Sequence, residues 1–193
     1  MNQRVAIFID GGNFYHSTKR LEEKGYKIDF QKIIKELARE REVNTFYYTA
    51  LLDKDYNWDR YEEHNNFLED LRKIPNFHIV LCDLRKLINK DGSFRYEIKG
   101  DDVYLAHDLL ICAFDNLYDV AIIVSGDADF IPIIQTLRER FNKKVGNAYF
   151  RRTSSFKLRS ACNFSIDMDK LTIKLNKEEK KASVPSEDDT SRL

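Results

Sequence analysis

Two hydrophobic spacings alternate along the chain. Short unbroken apolar runs, Val5-Ala6-Ile7-Phe8-Ile9 and Ala121-Ile122-Ile123-Val124 above all, suit strands covered on both faces of a parallel sheet. Between such runs apolar residues recur at helical spacing. The pattern predicts a strand over 4–9, a helix over 13–21 broken at Gly25, and a helix that Asp29 caps, running through Phe30, Ile33, Ile34 and Leu37. A strand over 43–52, a helix over 57–73 ended by Pro75, and a strand over 77–82 follow. Segments 84–88 and 93–98 flank Asp91-Gly92 and read as a hairpin. Gly100-Asp101-Asp102 opens a long helix with the expected apolar stripe Val103, Ala106, Leu110, Ala113 and Leu117. Beyond it lie a strand over 120–124, a helix through Leu137, a strand over 144–149, a helical turn over 155–161 and a last strand over 164–168.

This alternation argues for one α/β domain over 1–175, with a central, mostly parallel sheet and helices on both faces. From Asn176 onward charge dominates and little is left to bury, so 176–193 is expected to be a disordered tail. The strand ends then carry the interest, because open α/β sheets bind ligands beyond the carboxyl ends of their strands. The first strand delivers Asp10 into Gly11-Gly12-Asn13, and the strand ending at Val124 delivers Ser125-Gly126-Asp127-Ala128-Asp129. Right-handed crossovers put both on one edge of the sheet, where they converge if the two strands are neighbours. Asp101-Asp102, at a helix start on that same edge, can join them.

Each carboxylate also has a structural reading. Asp10 can make an Asx-turn, Asp101 can cap its helix, and Asp127 or Asp129 can cap the helix containing Pro132. Capping uses one Asp per helix, however, and two successive helix entries carry two each. Asn13 reads equally as a cap or as an amide that orients water or a phosphate oxygen. Asp108 is expected on a solvated helix face.

Several acidic oxygens in one cleft suit Mg²⁺ or Mn²⁺, which take oxygen ligands, and phosphodiester hydrolysis is the natural reaction class. The chain has no Gly-x-Ser-x-Gly elbow, no His-Glu-x-x-His and no phosphate-binding Gly-x-x-x-x-Gly-Lys-Ser/Thr loop. Composition adds limits. Lys plus Arg and Asp plus Glu both count 32, so attraction for phosphate has to come from a local patch. The hairpin offers one, with Arg85, Lys86, Lys90, Arg95 and Lys99 around Phe94 and Tyr96 as an expected RNA-binding flap that Arg151 and Arg152 extend. Cys82, Cys112 and Cys162 are odd in number and widely spaced, as free thiols of a reducing compartment would be. No apolar run approaches a membrane span and no leader is expected, so a cytoplasmic location is.

Ile9-Asp10-Gly11-Gly12-Asn13, the block from Lys99 through Asp102 to Leu110, and Ser125-Gly126-Asp127-Ala128-Asp129-Phe130 together resemble the three signature blocks of NYN domains, the LabA-like branch of the PIN-like nuclease superfamily. The resemblance spans roughly residues 4–168. It implies a three-layer α/β/α sandwich and a metal-dependent ribonuclease site, with Asp10, Asp102, Asp127 and Asp129 as ligands of Mg²⁺ or Mn²⁺ and Asn13 beside them. It departs at Asp101, where most LabA-like sequences carry an apolar residue such as Val; Asp101 is expected to be an additional ligand. RNA is then the expected partner, no membrane is, and a homo-oligomer is compatible with the sequence. The alternative reading is an RNA-binding or regulatory PIN-like module with little turnover. A haloacid-dehalogenase-like phosphatase would need an Asp where Gly12 stands, and a Toprim domain a Glu where Asp10 stands.

Overall fold

The computed structural model describes residues 3–182. In chain order these form β1 (Val5–Asp10), α1 (Gly11–Glu22), α2 (Phe30–Ala38), β2 (Val43–Thr49), α3 (Trp58–Arg72) and β3 (Phe77–Leu81), then the pair β4 (Asp83–Ile88) and β5 (Phe94–Lys99). The second half holds α4 (Asp101–Phe114), β6 (Val120–Val124), a 3₁₀ turn at Ala128–Phe130, α5 (Ile131–Glu139), β7 (Lys144–Tyr149), α6 (Phe156–Ala161), β8 (Phe164–Asp167) and α7 (Met168–Ala182). Six strands make one parallel sheet in the order β3-β2-β1-β6-β7-β8, while β4 and β5 pair antiparallel outside it. Among the described residues no helix is long and apolar enough to cross a membrane.

Strand alternation sorts the two layers. Val5, Ile7 and Ile9 of β1 and Val120, Ile122 and Val124 of β6 pack with Phe14, Leu21, Ile33, Leu37 and Leu171, so α1, α2, α3 and α7 cover one face. Ala6, Phe8, Ala121 and Ile123 point the other way, into Leu105, Leu109, Ile134, Leu137 and Leu158 of α4, α5 and α6. The result is the expected α/β/α sandwich. The chain winds outward in one direction from β1 and in the other from β6, which pair directly. Their shared carboxyl end is therefore the topological switch point, where a crevice opens.

Two expectations are corrected. The buried stripe of α4 is Leu105, Leu109, Cys112 and Ala113, whereas Val103 and Leu117 are 71% and 55% exposed. Almost every position of α4 after Asp102 is apolar, so spacing alone could not choose the face. The tail, expected from 176, begins inside α7, which runs to Ala182. The buried Met168, Leu171 and Leu175 anchor that helix, and the Asn176 amide bridges the backbone N–H and carbonyl of Lys27 at 2.8 and 2.9 Å. The charged residues beyond it extend a helix already nucleated upstream. Residues 183–193 of the expected tail lie outside the described residues.

Candidate active site

β1 passes into α1 with no linker. Asp10 is both the last residue of the strand and the N-cap of the helix, accepting the Asn13 N–H at 2.9 Å. That switch requires Gly11, since a Cβ there would meet the Tyr48 carbonyl and approach the Tyr47 ring within 2.9 Å. Ile9 is paired with Val124, so Asp10 faces the residue that follows β6, and the Ser125 hydroxyl donates to its second oxygen at 2.9 Å. The Ser125 oxygen also accepts the Asp127 N–H at 3.1 Å, and Asp127 in turn caps the 3₁₀ turn by accepting the Asp129 N–H at 2.9 Å. Asp10 and Asp127 thus do cap their turns. Asp101 does not cap α4: Gly100, at φ +86°, occupies that position without a side-chain bond. Among the described residues nothing donates a hydrogen bond to the carboxylates of Asp101, Asp102 or Asp129.

The five carboxylates act on one another electrostatically. Burial raises the Asp10 pKa, the Asn13 amide and Ser125 hydroxyl hold it down, and Asp101 and Asp127 push it further up. Asp102 is pushed up to about 6, by partial desolvation first and then by Asp101, Asp10, Asp127 and Asp129. A raised carboxyl favours the folded state most below its unfolded value, and that contribution is lost as pH rises through about 6. Asp102→Asn should therefore raise the melting temperature of the metal-free protein near neutral pH. Asp102 is an exposed residue, and after discounting for solvent screening the gain is at most ~1 kcal/mol, or about 2–4 °C. Melts in chelator at about pH 7.5 and about pH 5 check this, with the gain smaller at the lower pH, where the folded-state carboxyl is mostly protonated.

The remaining expected residues fall differently. Asn13 is not the cap of α1. Its side-chain oxygen accepts the Thr153 hydroxyl at 3.3 Å, and Thr153 is also bonded to Ser17 at 3.1 Å, so the loop after β7 holds the Asn13 amide beside Asp10. Asp108 is not on a solvated face: it lies beside the buried stripe of α4 and accepts the hydroxyl of fully buried Tyr48 at 2.9 Å. The hairpin cations are divided by strand alternation. Lys86 shares a face with Phe94, its ammonium 4.1 Å from the ring centre, while Arg85, Arg95 and Lys99 lie opposite, where Lys99 pairs with Glu97 at 3.2 Å. Lys90 is at the exposed turn. Phe94 and Tyr96 pack on Tyr56, and the Tyr96 hydroxyl bonds Asp53, so these rings fix the hairpin to the loop before α3 instead of standing free to stack a base. Arg151 is tied to Asp167 at 2.7 Å, which leaves Arg152 exposed. Cys82, Cys112 and Cys162 are free thiols, and Cys162 is only half-buried.

Sequence reasoning missed Ser125 and Thr153 as supports. Ser125 had a signal, since it continues the Ala121/Ile123 alternation onto the Asp10 face. Thr153 had none, because its role depends on β7 lying next to β6.

Among the described residues no three His, Cys, Asp or Glu side chains are grouped so as to hold a metal ion by themselves. The donor set nevertheless fits a hard cation: all its ligand atoms are carboxylate oxygens, several lack protein donors, and their mutual repulsion awaits positive charge. Mg²⁺ commonly takes one or two carboxylates and fills its other positions with water and phosphate oxygens, which an open arrangement permits.

Comparison with known proteins adds three findings. Residues 4–169 match the NYN domain. The Low amplitude and bright protein LabA of Synechococcus elongatus is 25% identical over 142 residues, 71% of this chain and 69% of that protein. The crystal structure of a protein of unknown function from Vibrio parahaemolyticus superposes with a TM-score of 0.67 at 27% identity, covering 88% of this chain and 95% of the other.

Proposed function

Since the chain belongs to the NYN domain family, we propose that it is a ribonuclease that hydrolyses RNA phosphodiester bonds with the help of Mg²⁺ or Mn²⁺. One observation carries the reading. Carboxylates from three separate segments, Asp10, Asp101 with Asp102, and Asp127 with Asp129, meet at the switch-point crevice, where Asp101 and Asp127 raise the pKa of Asp10 and all four neighbours raise that of Asp102, and no cation among the described residues pairs with them. Asp10, Asp102 and Asp127 would hold the ion. When bound, it supplies charge to a phosphoryl oxygen and acidifies a water.

The chain's own groups do the positioning. Ser125 and the Asn13 N–H fix both oxygens of Asp10, so this carboxylate enters the reaction already oriented. The Asn13 side-chain oxygen is taken by Thr153, which leaves its NH₂ to donate to a phosphate oxygen or a water. A cytoplasmic location fits the three unpaired thiols.

A second reading, RNA binding without turnover, is favoured by the looseness of the acidic set, since no three of its members are grouped as closed metal ligands. Incubating the protein with end-labelled single-stranded RNA in Mg²⁺, in Mn²⁺ and in chelator separates the two. The ribonuclease reading expects fragments only with metal. Retention of RNA with no cleavage under any condition supports the second reading.

A further inference from the structure

We propose that the groove between α1, the loop at 151–153 and the start of α7 binds the phosphodiester backbone of single-stranded RNA, and that this groove, not the β4–β5 hairpin, is the main backbone track. The inference rests on the ribonuclease or RNA-binding reading and adds the path of the strand.

Two concavities of about 350 and 460 Å³ adjoin at Arg20 and Arg152, which line both, and together they make the groove. Lys19 lines the first, and Lys24 and Lys170 line the second. Against these cations stand Glu23 and Asp169, in a chain whose net charge is zero. Lys24, Arg152 and Lys170 pair with no acidic side chain among the described residues, and Lys19 has only the Tyr15 ring, 5.9 Å away. Arg20 adds a separate observation. Its contact with Asp169 is a long 3.5 Å, and its Nε is buried with no acceptor among the described residues. The Arg20 side chain is still 29% exposed, so its outer guanidinium nitrogens can turn from this long contact to a phosphate oxygen in the planar geometry that guanidinium suits.

The groove also leads to the acidic crevice. Ser17 and Thr153 line its near end, and Thr153 bonds the Asn13 side chain beside Asp10. Tyr15, 48% exposed on the same helix, offers a face for a base. The hairpin lacks this combination, because its rings are engaged with Tyr56 and its Lys99 with Glu97.

The test measures binding apart from cleavage. In an Asp127→Asn background, fluorescence polarisation of a labelled single-stranded RNA is titrated at several salt concentrations. Lys24→Ala with Arg152→Ala, both exposed positions, is expected to weaken binding by roughly tenfold and to flatten the salt dependence by about 0.7 per lost contact. Arg85→Ala with Lys86→Ala is expected to change it by less than about twofold. Parent-like affinity in the groove variant, or a larger loss in the hairpin variant, overturns the proposal whether or not the protein cleaves RNA. Absence of RNA binding by the background protein overturns it as well, and the separate cleavage assay then decides the ribonuclease reading.

Discussion

Asp127→Asn is expected to lower metal-dependent RNA cleavage by on the order of 10²–10³-fold, the loss typical of one preorganised electrostatic group in a transition state. The fold should survive, because the amide oxygen of Asn can still accept the Asp129 N–H and the Asp127 backbone N–H still reaches Ser125. Removing the charge also relieves part of the repulsion on Asp10 and Asp102. The variant should therefore melt no lower than the parent in chelator and gain less from added Mn²⁺. Initial rates on labelled RNA, with circular dichroism melts on the same samples, measure both. Parent-like cleavage by a folded variant would remove Asp127 from the reaction.

Gly126→Ala is expected to have the second-largest effect, through the backbone. A Cβ at this buried position would run into the Thr153 carbonyl group, which belongs to the main chain and cannot rotate away. Such overpacking costs about 1–3 kcal/mol, so melting should fall by several degrees. The same displacement moves Thr153, whose hydroxyl holds Asn13, and pulls on Ser125, which holds Asp10. Cleavage should then fall more than stability does, even at temperatures where the variant is fully folded. A thermal melt and single-turnover rates at low temperature test this, and a variant that melts and cleaves like its parent contradicts the described packing.

The architecture was legible because the apolar runs are unambiguous. Val5 to Ile9 and Val120 to Val124 have no polar residue to suggest a solvent face, and Asp29 caps α2 as expected. The crossover rule put Asp10 and Asp127 on one edge of the sheet, and the direct pairing of β1 with β6 supplied the condition under which they converge. Less was visible where an element is apolar all round or where side chains meet across the fold. On α4 the choice of buried face turned on which side met the sheet, and with it went the position of Asp108 against Tyr48. The basic hairpin drew attention because its cations are close in sequence, yet alternation splits them between two faces. The cations of the α1 groove are scattered between Lys19 and Lys170, and only the fold brings them together.

The proposed ribonuclease depends on one divalent cation shared by Asp10, Asp102 and Asp127 at the switch-point crevice. Crystals grown with Mn²⁺ and measured for its anomalous scattering test it most directly. The expected result is a peak in the crevice beside these carboxylates, lost in crystals of the Asp127→Asn variant. A crevice without anomalous density in crystals that hold Mn²⁺ elsewhere would contradict it.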